Sequence, residues 1–352
     1  MAAGSVLVGI LGCWGWTVQT QPIAPSPVVR WEGRTMGSPY TVQIVEAELN
    51  ASRVADLRAR VESRLTELNR QMSHYQPDSE LSRFNRSPAN EPFLISPEFA
   101  RVVGFALGMS RRSEGAFDPT LGPLINLWGF GERGTAQKAP AASALAEARG
   151  RVGWQHLRIT DRNELIKDLP GLTVNLSAVA KGFAVDEVTR LLERQGLTNT
   201  YVSIAGEVFA SGHNPGGTRW RVGISAPTDF WRENDPMASA AAISGQALST
   251  SGDYQKFFRD PEGRRFSHIL DPRTGRPVQH ALAGVTVVAP DSMTADALGT
   301  TLFVLGSEAG LRFIDAQPEA AALFILREAD GRFRQVRSAA WERLTGDPSD
   351  PR

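Results

Sequence analysis

The chain has 352 residues, 41% apolar and 22% charged, enough for a large core and too little charge for global disorder. Lys plus Arg and Asp plus Glu number 38 each, so the formal net charge is zero and no overall field draws nucleic acid or anionic lipid. A single cysteine, Cys13, excludes an internal disulfide and a thiolate metal cluster.

Residues 5–16, SVLVGILGCWGW, form a short apolar run that ends in Gly12 and Cys13. Too short to span a bilayer, it suits the apolar centre of a secretion signal. A small residue before a cysteine resembles a bacterial lipoprotein cleavage site, although no basic residue precedes the run. Residues 1–13 are therefore expected to be a lipoprotein-type signal. Residues 14–30, with Pro22, Pro25 and Pro27, read as an extended tether.

The folded domain is expected to cover residues 31–343. A turn at Gly37, Ser38 and Pro39 leads into an alternating strand at 40–45. In ASRVADLRARVESRLTELNRQMS, Val54, Leu57, Val61, Leu65 and Leu68 recur at three and four, which predicts an amphipathic helix. A second helix starts at Ser96 as N-cap with Pro97 in its first turn. Residues 132–150, rich in Ala, Gly and charge, read as a surface excursion. Short strands follow, one running through Val174, with Ser177 positioned to cap the next helix. That helix places Phe183, Val188, Leu191 and Leu192 on one face, with Gly196 at its C-terminal cap. TYVSIAGEVFASG, RWRVGIS, AAISGQALSTSG and AGVTVVA read as strands, and AAALFILRE with FRQVRS as a closing hairpin. Residues 344–352 are expected to be a disordered tail. No fixed-period repeat occurs, and many strands adjoin without an intervening helix. That predicts an α+β fold with mixed or antiparallel sheets, packed helices and a single large domain of two sub-lobes.

Four segments carry the chemistry. In GLTVNLSAVAKGFAVD a helix start brings free N–H groups, its dipole and Lys181 together, a set that attracts phosphate. GAFDPTLGPLINLWGFG, with Asp118, Asn126, Trp128 and Phe130, is a glycine-, proline- and aromatic-rich loop of the kind that lines cofactor pockets. In RRFSHILDPRTGRPV, His268 and Asp271 stand at a strand end, where an imidazole can act as acid or base. In TADALGTTL, Asp296 and Thr300 lie one helical turn apart on one face, a geometry that can hold a cation. Each segment alone is equally a capped helix, a packed loop, a structural histidine or a threonine bonded to its own helix. Together they suit a metal-assisted phosphate site.

The order TMGSPY, MSHYQPDSELSRFN, GAFDPTLGPLINLWGFG, NLSAVAKGFAVD, SIAGEVFASG, SHILDPRTG and TADALGT resembles the ApbE family of FAD:protein FMN transferases, over residues 34–306. The resemblance implies an ApbE-like fold and an enzyme that uses FAD as substrate and Mg²⁺, or Mn²⁺, as cofactor. It would move FMN onto a threonine of a flavin-accepting target protein as a phosphoester and release AMP. It implies metal ligands at Asp296, Thr300 and the Ala178 carbonyl. FAD contacts carry over to Met36, Tyr75, Leu124, Ile125, Asn126, Asn175, Lys181 and Leu270, and the transfer-step histidine to His268; Asp271, beside it at the strand end, is the alternative base by position alone. Exported lipoproteins are common in the family, so the resemblance implies a place on the periplasmic side of the inner membrane, with an anchor through a lipid on Cys13. Two positions depart from the family's pattern. Asn175 stands where many relatives carry an acid. Ala205, Gly206 and Glu207 stand where many read Gly-Gly-Asp. Competing readings are an FAD pyrophosphatase, yielding FMN and AMP, and a flavin-binding lipoprotein without turnover.

Overall fold

The computed structural model describes residues 26–46, 49–131, 134, 138–229 and 235–346. The chain opens with strands β1 (Val28–Thr35) and β2 (Ser38–Val45), helices α1 (Ala51–Met72) and α2 (Glu80–Arg86), β3 (Phe93–Leu94) and α3 (Pro97–Arg112). Next come α4 (Gly122–Leu127), α5 (Ala142–Arg149), β4 (Leu157–Ile159), β5 (Glu164–Lys167), α6 (Ala180–Arg194), β6 (Thr200–Ile204) and β7 (Glu207–Ser211). Strands β8 (Trp220–Ser225), β9 (Met237–Ile243), β10 (Gln246–Gly252), β11 (Phe257–Arg259), β12 (Arg265–Ser267), β13 (Leu270–Asp271) and β14 (Arg276–Pro277) follow. The chain closes with β15 (Leu282–Ala289), α7 (Ser292–Asp315), β16 (Ala321–Arg327), β17 (Phe333–Arg337) and α8 (Trp341–Thr345).

One sheet organises the molecule. Its order is β1-β2-β6-β7-β10-β15-β16-β17, and every adjacent pair is antiparallel. The sequence left mixed sheets open; among the described residues the only parallel pairing is the bridge between Leu121 and Thr173. Period-two alternation sorts the side chains. In β16, Ala322, Phe324 and Leu326 join the core beneath α1, α3, α6 and α7, while Ala321, Leu323 and Ile325 join the core beneath β8, β9 and α8. All eight residues of β15 are buried, as expected of a strand covered on both faces. A third, smaller cluster gathers Leu124, Trp128, Leu145, Ala148 and Leu270. What reads in sequence as two sub-lobes is thus one sheet with a core on each face and a small core beside it.

The helices follow their sequence signals. Asn50 caps α1 by accepting from Arg53 N, and Leu57, Val61, Leu65 and Leu68 are buried. Ser96 caps α3 ahead of Pro97. Gly196 takes a φ of 80° just after α6, as a C-terminal cap requires.

Several expectations change. Residues 28–30 are part of β1, not tether, and pair with 43–45 of β2. The excursion at 132–150 contains α5, whose Leu145 and Ala148 are buried. Val174 is not in a regular strand. Chain 344–346 belongs to the fold, since α8 runs to the buried Thr345. The expected signal with Cys13, tether residues 14–25 and tail residues 347–352 lie outside the described residues.

Candidate active site

Helices α6 and α7 begin side by side, and glycine permits it. A Cβ on Gly182 would lie 2.2 Å from the Ser292 carbonyl oxygen. The buried Asp186 of α6 accepts from Ser292 N at 2.7 Å and Met293 N at 3.0 Å, tying it to the start of α7. In return Asp296 of α7 accepts from Gly182 N at 3.2 Å, in the first turn of α6. Ser177 does not cap α6: the N-cap position is Val179, which offers no side-chain bond. The first-turn donor of α6 is satisfied from the neighbouring helix instead.

Lys181 stands between two buried carboxylates. Its Nζ donates to Glu207 Oε1 at 2.6 Å, to the Ser177 carbonyl at 3.3 Å, and lies 3.8 Å from Asp296 Oδ1. Ser249 Oγ donates to Glu207 Oε2 at 2.5 Å. Burial disfavours the Lys181 ammonium, but Asp296 and Glu207 outweigh it and hold its pKa above the ordinary value. Burial raises the Asp296 carboxyl well above the usual carboxylate range; Lys181 pulls it back and Glu207 pushes it further up. Two acids against one ammonium leave this pocket short of positive charge. The Thr300 hydroxyl, one turn along α7, makes no hydrogen bond with any described residue, whereas the Thr301 hydroxyl donates to the Ala297 carbonyl at 2.8 Å. The bond to its own helix that the sequence allowed for Thr300 is made by Thr301 instead, and Thr300 keeps its oxygen available.

These groups open on a cavity of about 720 Å³, whose wall includes Ile125, Asn175, Ala178, Lys181, Glu207, Tyr254, His268, Leu270, Asp296 and Thr300. The turn between β6 and β7 forms part of its rim, with Ala205 in the left-handed region at φ 56°. His268 accepts no charge easily: burial, then the Lys256 and Lys181 cations, lower its imidazole to about 4. Its Nδ1 is 3.2 Å from the Lys256 carbonyl, so a neutral ring carries its proton there and leaves Nε2 as acceptor. Asp118 also reaches this wall, its carboxyl raised by burial despite bonds from Thr120 and from Trp154 N.

Five of the sequence's site residues are placed elsewhere. Tyr75 and Asn126 line an adjoining cavity of about 260 Å³, which shares Asn175 with the large one. Asn175 Oδ1 accepts from Ser177 N at 2.9 Å and shapes the loop before α6. Leu124 is fully buried in the small core against Trp128, so its side chain faces no ligand. Met36 occupies the two-residue turn between β1 and β2 at φ 49° and packs on the main core. Asp271 spends its carboxylate on Arg273, at 2.9 and 3.0 Å, and on the turn N–H, so it belongs to neither cavity wall. Glu207 and Ser249 were not picked out as site residues, because Glu207 reaches Lys181 from a strand 26 residues away in sequence and Ser249 reaches Glu207 from a strand 42 residues further on. The one signal for Glu207 was its departure from Gly-Gly-Asp.

Among the described residues no three of His, Cys, Asp and Glu gather as a metal cluster. Asp296, Thr300 and Ala178 all line the cavity and have a carboxylate, a hydroxyl and a backbone carbonyl, hard oxygen donors, to offer. That set fits Mg²⁺, which takes oxygen at about 2.0–2.1 Å and keeps several waters.

A family model described as the ApbE family matches residues 36–324. The FAD:protein FMN transferase of Haemophilus influenzae is 38% identical over 322 residues, covering 90% of this chain and 92% of that protein. The solved flavin transferase ApbE from Vibrio cholerae superposes with a TM-score of 0.82 at 38% identity, over 91% of this chain and all of that one. The apo flavinyl transferase ApbE of Pseudomonas stutzeri gives 0.81 at 38% identity, over 92% and 98% of the two chains.

Proposed function

The chain belongs to the ApbE family, and from that premise we propose that it transfers FMN from FAD to a threonine hydroxyl of a target protein and releases AMP. One observation carries this reading: Lys181, His268, Asp296 and Thr300, far apart in sequence, meet on a single chamber of a size that takes a dinucleotide. The acceptor oxygen attacks the FMN phosphorus, and the bond from that phosphorus to the AMP phosphate breaks. His268, neutral at working pH, takes the hydroxyl proton on Nε2, a role that typically contributes about 10²–10⁴-fold. Lys181 sets positive charge against the diphosphate. Held by Asp296, Thr300 and the Ala178 carbonyl, a divalent cation, Mg²⁺ or Mn²⁺, would neutralise charge on that diphosphate. Glu207 restrains Lys181 rather than touching the substrate.

Incubation with FAD, Mg²⁺ and an acceptor protein should give a covalently fluorescent band, lost on chelation and in Asp296→Ala. Release of FMN and AMP at one rate with and without acceptor would assign hydrolysis by water instead. The same reading includes lipid anchoring through Cys13 at the periplasmic side of the inner membrane. Cys13→Ala should then move the protein from the membrane fraction to the soluble one, and an unchanged distribution would refute the anchor.

A further inference from the structure

Tyr254 lies between β10 and β11, on the wall of the large cavity. It is 6% exposed, and no hydrogen bond joins its hydroxyl to any described residue. A buried phenol normally finds a partner, and this one belongs to a residue that lines the chamber and feels the charge of Glu207, which lines it too. Its ring is held against bare backbone: a Cβ on Gly252 would fall 2.2 Å from Tyr254 Cε1, and one on Gly284 3.8 Å. Burial, then the Asp253 and Glu207 carboxylates, push the phenol up to about 12, so it keeps its hydrogen at any working pH.

The neighbouring donors are already committed. Lys181 holds Glu207 at 2.6 Å, Ser249 donates to the same carboxylate at 2.5 Å, and the Thr250 and Thr286 hydroxyls pair at 2.8 Å. A phenol that keeps its hydrogen is matched by an acceptor, and the phosphoryl oxygens are the strongest acceptors a dinucleotide brings. We propose that Tyr254 is a further substrate-binding residue, donating its phenolic hydrogen to a phosphoryl oxygen of the bound dinucleotide. The assignment rests on the reading of this chamber as the FAD site.

Tyr254→Phe removes one oxygen and keeps the ring in place. Flavin fluorescence quenching should show FAD bound about tenfold to a hundredfold more weakly, the range for a hydrogen bond to a charged group. KM for FAD should rise in step, with the ligand-free melting temperature unchanged. Equal FAD affinity and equal kcat/KM in wild type and Tyr254→Phe would overturn the assignment. So would loss of affinity in Tyr254→Leu with none in Tyr254→Phe, which gives the role to the ring alone. A wild-type protein that fails to quench FAD fluorescence at all would instead remove the functional reading on which the tyrosine's role depends.

Discussion

Gly182→Ala tests whether the contact between the two helix starts sets the site. The new Cβ would meet the Ser292 oxygen at 2.2 Å, the Ser292 carbonyl carbon at 2.6 Å and Met293 Cα at 2.8 Å. All three are backbone atoms of the first turn of α7, so no side-chain rotation relieves them. Comfortable carbon contacts begin near 3.5 Å, so the helices must part by roughly 1 Å. Overpacking of this kind costs about 1–3 kcal/mol, and the better helix propensity of alanine returns up to about 1 kcal/mol. The net expectation is a destabilisation of about 1–2 kcal/mol, read as a lower urea midpoint at unchanged slope. The functional effect should be larger. Lys181 and Asp296 stand on opposite sides of the interface, and a displacement near 1 Å at a reacting centre costs about 10²-fold in rate. Initial rates of FMN transfer at saturating FAD measure it. Gly299→Ala is the control, since its Cβ would meet mainly the Ser251 hydroxyl, at 2.9 Å, the end of a side chain that can turn away. Its stability and rate should stay near wild type. A Gly182→Ala protein with the midpoint and rate of wild type would show that the backbone contact does not position the charges.

His268→Ala should bind FAD normally and lose about 10²–10⁴-fold in transfer; retained turnover would move the base to another residue. The same imidazole titrates at about 4 in the folded protein against 6.5 ordinarily. The unfolded chain binds the extra proton first, so this group's contribution to stability is present above pH 6.5 and lost as pH falls towards 4. His268→Gln should flatten that slope in pH-dependent denaturation, and an unaltered slope would contradict the shift. Lys181→Met leaves Glu207 and Asp296 buried without their cation, a loss of about 3 kcal/mol that Glu207→Gln in the same chain should partly restore. Non-recovery in the double variant, by urea titration, would deny the pairing. Ala205, with its Cβ in the left-handed region at φ 56°, should yield to glycine with a gain of up to about 1 kcal/mol, measured as a higher midpoint.

What the sequence disclosed and what it withheld separate along a physical line. Helix α1 was legible because Leu57, Val61, Leu65 and Leu68 repeat within the element itself, and α3 because Ser96 and Pro97 mark its start locally. Strand β1 was not, since prolines in front of VVRWEGRT suggest a tether, and only pairing with β2 makes it a strand. Helix α5 was hidden by its alanines, which carry little apolar contrast until Leu145 and Ala148 meet the small core. The site divides the same way. Asp296 and Thr300 share a face by helical arithmetic, so their partnership could be read from spacing alone. The capping of α6 could not: the expected acceptor was the nearby Ser177, yet the acceptor is Asp296, 114 residues from Gly182. Motif matching fixes positions along the chain but not side-chain directions, which is why Leu124 turned out to be core and Asp271 a turn residue held by Arg273. The cation-deficient pocket itself is a tertiary property. It exists because Gly182 lets two helix starts close together, and that closeness brings Asp296 within reach of the ammonium that Glu207 already holds.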